Sequence, residues 1–162
     1  MARLSPLFSV ALIILVLDQI TKVIVIHWMD LKNVIAIDVL PPYITFRMAW
    51  NEGINFGIPL GSKWVLIAIA LAICIWIIIW MYREAPGRGA LISAGLIVGG
   101  AGGNVIDRIL YGAVADFLNM SCCGFENPWS FNVADISIFV GAVGLIFLTG
   151  GSNSKDSPRP SE

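Results

Sequence analysis

Apolar residues fall along this chain in long runs separated by short polar stretches. The first run starts near Leu7 and reaches Trp28, broken by Asp18 and Lys22. The second, Trp64 to Tyr82, holds 19 residues and no charge. The third, Gly89 to Ile106, holds 18, and the fourth, Phe131 to Thr149, carries one charge, Asp135. A helix needs about 20 apolar residues to cross a bilayer, and a chain in lipid must satisfy its own backbone. The pattern therefore predicts an all-α membrane protein, an up-down bundle of four transmembrane helices over about 7–28, 64–82, 89–110 and 131–149. The first run is read as an uncut helix. No small-x-small cleavage site follows it, only Asp18-Gln-Ile-Thr-Lys22.

The connections are unequal. Residues 30–63 contain Val34–Leu40 and Tyr43–Met48, rich in β-branched and aromatic residues and separated by Pro41-Pro42. They read as two short strands of a small β-sheet cradle, about 33–60, at the membrane surface. Residues 83–88 make a tight turn, and 110–130 form a second long connection, read as a loop. Gly, Ser and Pro dominate 151–162, which reads as a disordered tail. Arg3, Arg83, Arg88, Lys155 and Arg159 fall on one side of such a bundle, and Lys32, Arg47 and Lys63 on the other. Basic residues favour the cytoplasm, so both termini are expected there and the cradle on the outer face.

Composition agrees with the pattern. Of 162 residues, 57% are hydrophobic and 13% charged, against about 25% charged in a soluble domain. A water-soluble fold of this length could not hide so much apolar surface. The net charge is −1 and no basic block occurs, which argues against a nucleic-acid partner. His27 is the only histidine, and Cys74, Cys122 and Cys123 form no CxxC motif. Zinc, haem and a Ser-His-Asp triad are therefore not expected, and neither a metal nor a cofactor is called for.

Polar residues inside the runs carry the chemical information, because charge in a membrane is costly. Asp18 and Lys22 are four apart and share a helix face. Asn104, Asp107 and Arg108 form a second stripe, and Asn132 and Asp135 a third. In an up-down bundle all three stripes, with Asp116 following, lie near one membrane face. Helix ends tolerate polar groups in any case, which accounts for Arg108 and Asn132 better than for Asp18 and Lys22. Gly95, Gly99 and Gly103 recur every four residues, a spacing that lets helices approach closely and reads as packing.

No serine–lysine or cysteine–histidine pairing lies among these stripes, so carboxylates remain. Asp18 has Lys22 one turn on, and Asp107 has Arg108 beside it. Both should stay ionised in structural roles. Asp116 and Asp135 have no adjacent base. If they face each other they would share one proton. One would activate water and the other polarise a carbonyl, which is aspartic-protease chemistry. The alternatives are a small proton- or ion-coupled carrier using the same carboxylates, and an assembly subunit whose polar stripes serve helix contacts.

Five segments then suggest a family. They are Asp18-Gln-Ile-Thr-Lys22, Asn51-Glu-Gly-Ile-Asn-Phe-Gly57, Gly99-Gly-Ala-Gly-Gly-Asn-Val-Ile-Asp-Arg108, Val114-Ala-Asp-Phe117 and Phe131-Asn-Val-Ala-Asp135. In this order, over nearly the whole chain, they resemble lipoprotein signal peptidase (signal peptidase II). The resemblance implies a single integral membrane peptidase domain over 1–150, in the bacterial inner membrane. It implies cleavage of diacylglyceryl-modified prolipoproteins just before the lipidated cysteine, and sensitivity to globomycin. It implies catalytic roles for Asp116 and Asp135. Asn51, Gly53, Asn104, Asp107, Arg108 and Asn132 would bind substrate or support the dyad, with Asp18 and Lys22 a structural pair. The expected partners are prolipoproteins and membrane lipid, with the protein itself a monomer. Two departures stand out: Ile54-Asn55, where the family usually has small residues, and Ser121-Cys-Cys-Gly124. Adjacent cysteines seldom bond to each other without strain, so free or partner-linked thiols are both open.

Overall fold

The computed structural model describes residues 2–53 and 63–149. A short 3-10 turn, Ala2–Leu4, leads into α1, Ser5–Lys22, which continues as a π-helical stretch over Val23–Trp28. Pro6 sits in the first turn of α1, where its missing N–H costs no helical bond. A single helical turn, α2 (Leu31–Val34), precedes strands β1 (Ala36–Leu40) and β2 (Ile44–Asn51). Then follow α3 (Lys63–Glu84), α4 (Arg88–Tyr111), β3 (Val114–Met120) and α5 (Val133–Thr149). The departure at Ile54-Asn55 and the tail at 151–162 lie outside the described residues.

The helices Ser5–Trp28, Lys63–Glu84 and Arg88–Tyr111 are each long and apolar enough to cross a membrane. The fourth run gives a shorter apolar helix of 17 residues. Large apolar side chains cover the outside, among them Trp76, Phe139, Ile146 and Phe147. A soluble monomer rarely shows apolar surface on that scale.

Helix α4 is the hub, and glycines make it one. A methyl group on Gly99 would sit 2.5 Å from the Ala11 carbonyl oxygen, and one on Gly95 2.6 Å from that of Leu7. One on Gly103 would meet the Asp18 carboxylate. The stripe thus presses α4 against α1 along its length, the packing role its spacing predicts. Gly100 faces the other way, towards Ala134 and Ser137 of α5.

The sheet is three-stranded and antiparallel, in the order β1-β2-β3. The expected two strands are present, with Val34 taken into α2. The expected loop at 110–130 is corrected: its first part is strand β3. Alternation did not reveal β3 because its first five residues, Val114 to Leu118, are buried or half-buried on both faces. It begins where Gly112, at φ +83°, ends α4 in the left-handed conformation that glycine adopts freely. Two apolar clusters bracket the polar middle. Leu4, Leu7, Met81, Leu91 and Leu145 fill one end of the bundle, and Val25, Leu31 and Phe117 pack beneath the sheet.

Candidate active site

Between those clusters the polar residues form two layers. In the lower one, Lys22 Nζ lies 2.7 Å from Asp18 Oδ2 and 2.6 Å from Asp107 Oδ2. Gln19 Nε2 donates to both carboxylates, at 3.2 Å to Asp18 and 3.1 Å to Asp107. Asp18 and Asp107 are 0% exposed and Lys22 4%, so this cluster is sealed from solvent.

The upper layer is built on Asn132, also 0% exposed. Its Nδ2 donates to Asp116 Oδ1 at 2.7 Å and to Asn104 Oδ1 at 3.3 Å. Its Oδ1 accepts the Asp135 N–H at 2.9 Å, while Asp135 Oδ2 accepts the Asn132 N–H at 3.3 Å. That reciprocal pair is a capping box opening α5. Asn104 Nδ2 donates to the other Asp135 oxygen at 2.9 Å. Asn51, at the end of β2, donates to Asp116 Oδ2 at 3.1 Å and accepts the Gly53 N–H at 3.0 Å. Gly53 holds φ +93°, and a methyl group there would strike Leu66. One asparagine therefore bonds both aspartates, and each aspartate has a second asparagine donor.

Register explains how Asp116 arrives. Helix α4 ends at Tyr111, the chain turns at Gly112, and β3 pairs with β2 so that Asp116 lies opposite Ala49 and Val114 opposite Asn51. An irregularity between Phe46 and Ala49 adjusts the pairing just before that point. Asp116 is 3% exposed. Burial, and after it the negative charge of Asp135, push its carboxyl up to about 6. The Asn51 and Asn132 hydrogen bonds and the Lys22 charge act in the opposite direction.

Two expectations about charge partners need correcting. Asp107 takes Lys22 of α1 as its cation, not the adjacent Arg108. Arg108 forms no ion pair with Asp107 among the described residues and stands instead within electrostatic reach of Asp116 and Asp135 as well, so the two aspartates are not free of a nearby cation. Its Nη1 donates to the Asn104 carbonyl at 3.2 Å, and its buried Nε has no hydrogen-bond partner among the described residues. Gln19, inside the Asp18–Lys22 segment, carries no charge to mark it in the sequence, yet it bonds both carboxylates. Asn119 carries no such mark either. It is 5% exposed and donates to the carbonyls of Asn127 and Trp129 at 2.7 and 2.8 Å. It thereby ties the 121–130 segment back to β3. Within that segment the structure joins Cys122 and Cys123 to each other. They sit in a tight turn closed by the Phe125 N–H donating to the Cys122 carbonyl at 2.9 Å.

Comparison with known proteins adds an independent line. The family model described as signal peptidase (SPase) II matches residues 10–149. A lipoprotein signal peptidase of Methylorubrum extorquens (strain PA1) is 43% identical over 129 residues, covering 75% of this chain and 67% of the relative. That of Rhodopseudomonas palustris (strain ATCC BAA-98 / CGA009) is 40% identical over 144 residues, covering 84% and 86%. A bacterial membrane enzyme solved by the in meso method at 2.3 Å resolution superposes with a TM-score of 0.78. It is 26% identical, with 96% of this chain and 94% of that chain covered.

Proposed function

The chain belongs to the signal peptidase II family, and on that premise we propose that it is a membrane-embedded aspartic endopeptidase. Its substrates are diacylglyceryl-modified prolipoproteins, cut just before the lipidated cysteine. The observation that carries the mechanism is the Asn132 bridge, which bonds Asp116 on one side and Asp135 on the other. Asp116, buried and facing a negative neighbour, is the partner suited to hold the shared proton. Asp135 is then the base that takes a proton from the attacking water, while protonated Asp116 hydrogen-bonds the scissile carbonyl oxygen. As the tetrahedral intermediate collapses, Asp135 returns a proton to the leaving nitrogen. Asn51, Gly53, Asn104 and Arg108 stand around the pair, where they can orient the substrate backbone and support the developing charge.

The membrane arrangement belongs to the same proposal. All four apolar helices cross the inner membrane, α5 included, and both termini are cytoplasmic. Arg3, Arg83 and Arg88 lie at the end of the bundle opposite the sheet, which supports that orientation. The sheet and the aspartates then sit near the outer face, within reach of a lipid-modified substrate and of a globomycin-type inhibitor. The enzyme works as a monomer without a cofactor.

The deciding test is incubation of the purified protein with a lipidated precursor peptide. Cleavage directly before the modified cysteine is expected. Asp116→Asn and Asp135→Asn keep the side-chain shape and should each lower turnover about 10³-fold or more, since catalytic groups that act as a unit fail together. Substantial turnover by either variant would refute the aspartic mechanism, and no cleavage by the parent protein would bring back the ion-coupled carrier.

A further inference from the structure

The lower charge cluster reaches beyond itself at two points. Asp107 Oδ2 accepts the Ala115 N–H at 3.1 Å, and Asp18 Oδ1 accepts the Ala134 N–H at 3.0 Å. Ala115 immediately precedes Asp116, and Ala134 immediately precedes Asp135. The backbone entering each aspartate is therefore held by its own carboxylate, and the two carboxylates are held together by one ammonium group, Lys22. Both alanines are 0% exposed, so neither residue has room to drift.

A stabilising role alone does not account for this wiring. A buried ion cluster can often be replaced by apolar side chains at no loss of stability. Apolar side chains could not, however, accept the Ala115 and Ala134 N–H groups. One contact also joins elements far apart in the chain, α1 to α5, while the other ties the end of α4 to the strand that follows it. Two groups that share a proton need a fixed separation, because the shared state depends on how strongly each charge feels the other.

We propose that Lys22, by gripping Asp18 and Asp107 together, is a positioning residue that sets the distance and mutual orientation of Asp116 and Asp135. The inference rests on the dyad reading given above. Lys22 touches no substrate in this account. It acts through two carboxylates and two backbone amides, and Gln19 braces the same pair from the side.

The test uses the full-length protein purified in detergent, with the lipidated precursor peptide as substrate. It compares the parent with Lys22→Met, Lys22→Arg and the double variant Lys22→Met/Asp18→Asn. The double variant keeps the cluster's net charge, and its asparagine oxygen can still accept the Ala134 N–H. Folded fraction, kcat, KM and the pH profile of kcat/KM are measured for each. Lys22→Met should lower kcat per folded molecule about 10²-fold, the scale of a small misplacement of reacting groups. KM should stay within about twofold, and the pH limb set by the dyad should move. Lys22→Arg should recover part of both effects. An activity loss that matches the lost folded fraction, with a pH profile superimposable on the parent's, would overturn the proposal and leave the cluster a packing element. If Lys22→Met does not fold, the double variant carries the same reading, since it too lacks the ammonium that joins the two carboxylates, and an unmoved kcat and pH profile in it overturn the proposal equally. Failure of the dyad reading itself looks different, since Asp116→Asn and Asp135→Asn would then cleave as the parent does.

Discussion

Replacing Asp116 by asparagine should change the pH dependence of stability in a direction the structure fixes. In the folded protein its carboxyl is pushed from 3.8 to about 6, by burial first and by the charge of Asp135 second. The unfolded chain returns it to the ordinary value. Between those two values the folded state binds more protons than the unfolded state, so this group's contribution to stability falls as pH rises. A rise of about two pH units at about 1.4 kcal/mol each is a change of about 3 kcal/mol. Asp116 is 3% exposed, so solvent screening removes little of it. Asparagine does not titrate. Its rearranged bonds to Asn51 and Asn132 add a constant offset, and the Asp135 charge it no longer faces is the same interaction already counted in the Asp116 shift. The stability difference between Asp116→Asn and parent should therefore shift by about 3 kcal/mol in the variant's favour between about pH 3 and pH 8. Unfolding of both proteins in one detergent, at half-unit intervals, measures it. A difference that stays flat, or that moves against the variant as pH rises, would refute the account of Asp116. The same proton sets an activity limb. If catalysis needs one proton on the pair, kcat/KM should decline as pH rises through about 6.

Three further outcomes are expected. Gly99→Ala would place a methyl group 2.5 Å from the Ala11 carbonyl oxygen, forcing α1 and α4 apart at a cost of about 1–3 kcal/mol, readable as a lower unfolding midpoint. Asn119→Ala strips the Asn127 and Trp129 carbonyls of their donor, so limited proteolysis should cut faster within residues 121–130 while the helices stay intact; an unchanged cleavage rate would remove Asn119's anchoring role. A reporter fused after Thr149 should score cytoplasmic and one inserted near Pro41 external, and the reverse pattern would place the aspartates at the cytoplasmic face.

The helices were legible because each run is long and its polar interruptions are few. The two strands of the cradle were legible from β-branched residues on either side of Pro41-Pro42. Strand β3 was not, since residues covered on both faces lose the alternation that marks a half-exposed strand. The gathering of the polar stripes in one place was legible from their spacing, and the structure brings Asn104, Asp116, Asn132 and Asp135 together. Asp18 and Lys22, four apart, were matched correctly because helical geometry puts them on one face.

The charge partners across the fold were harder to read, and the reason is geometric. Asp107 and Arg108 are neighbours in sequence, but successive residues on a helix point about 100° apart and do not face each other. A helix whose Asp107 turns towards α1 must turn Arg108 elsewhere, and here Arg108 leaves Asp107 to Lys22 and donates to the Asn104 carbonyl. The pairing of Asp107 with Arg108 was therefore refutable from helical periodicity alone. Choosing Lys22 in its place was not. That choice needs α4 to lie against α1 at the level of Gly103, where the missing side chain leaves room for the Asp18 carboxylate. The residue with no side chain thus decides which charges can meet. Gly103→Ala should break the cluster as effectively as a change at Asp18 itself, because the methyl group would occupy the place of the carboxylate oxygen that Lys22 bonds. Loss of activity in that variant, with Asp116 and Asp135 untouched, would show that the distance between the two aspartates is set beneath them. Full activity would show that the upper layer of asparagines holds the pair unaided.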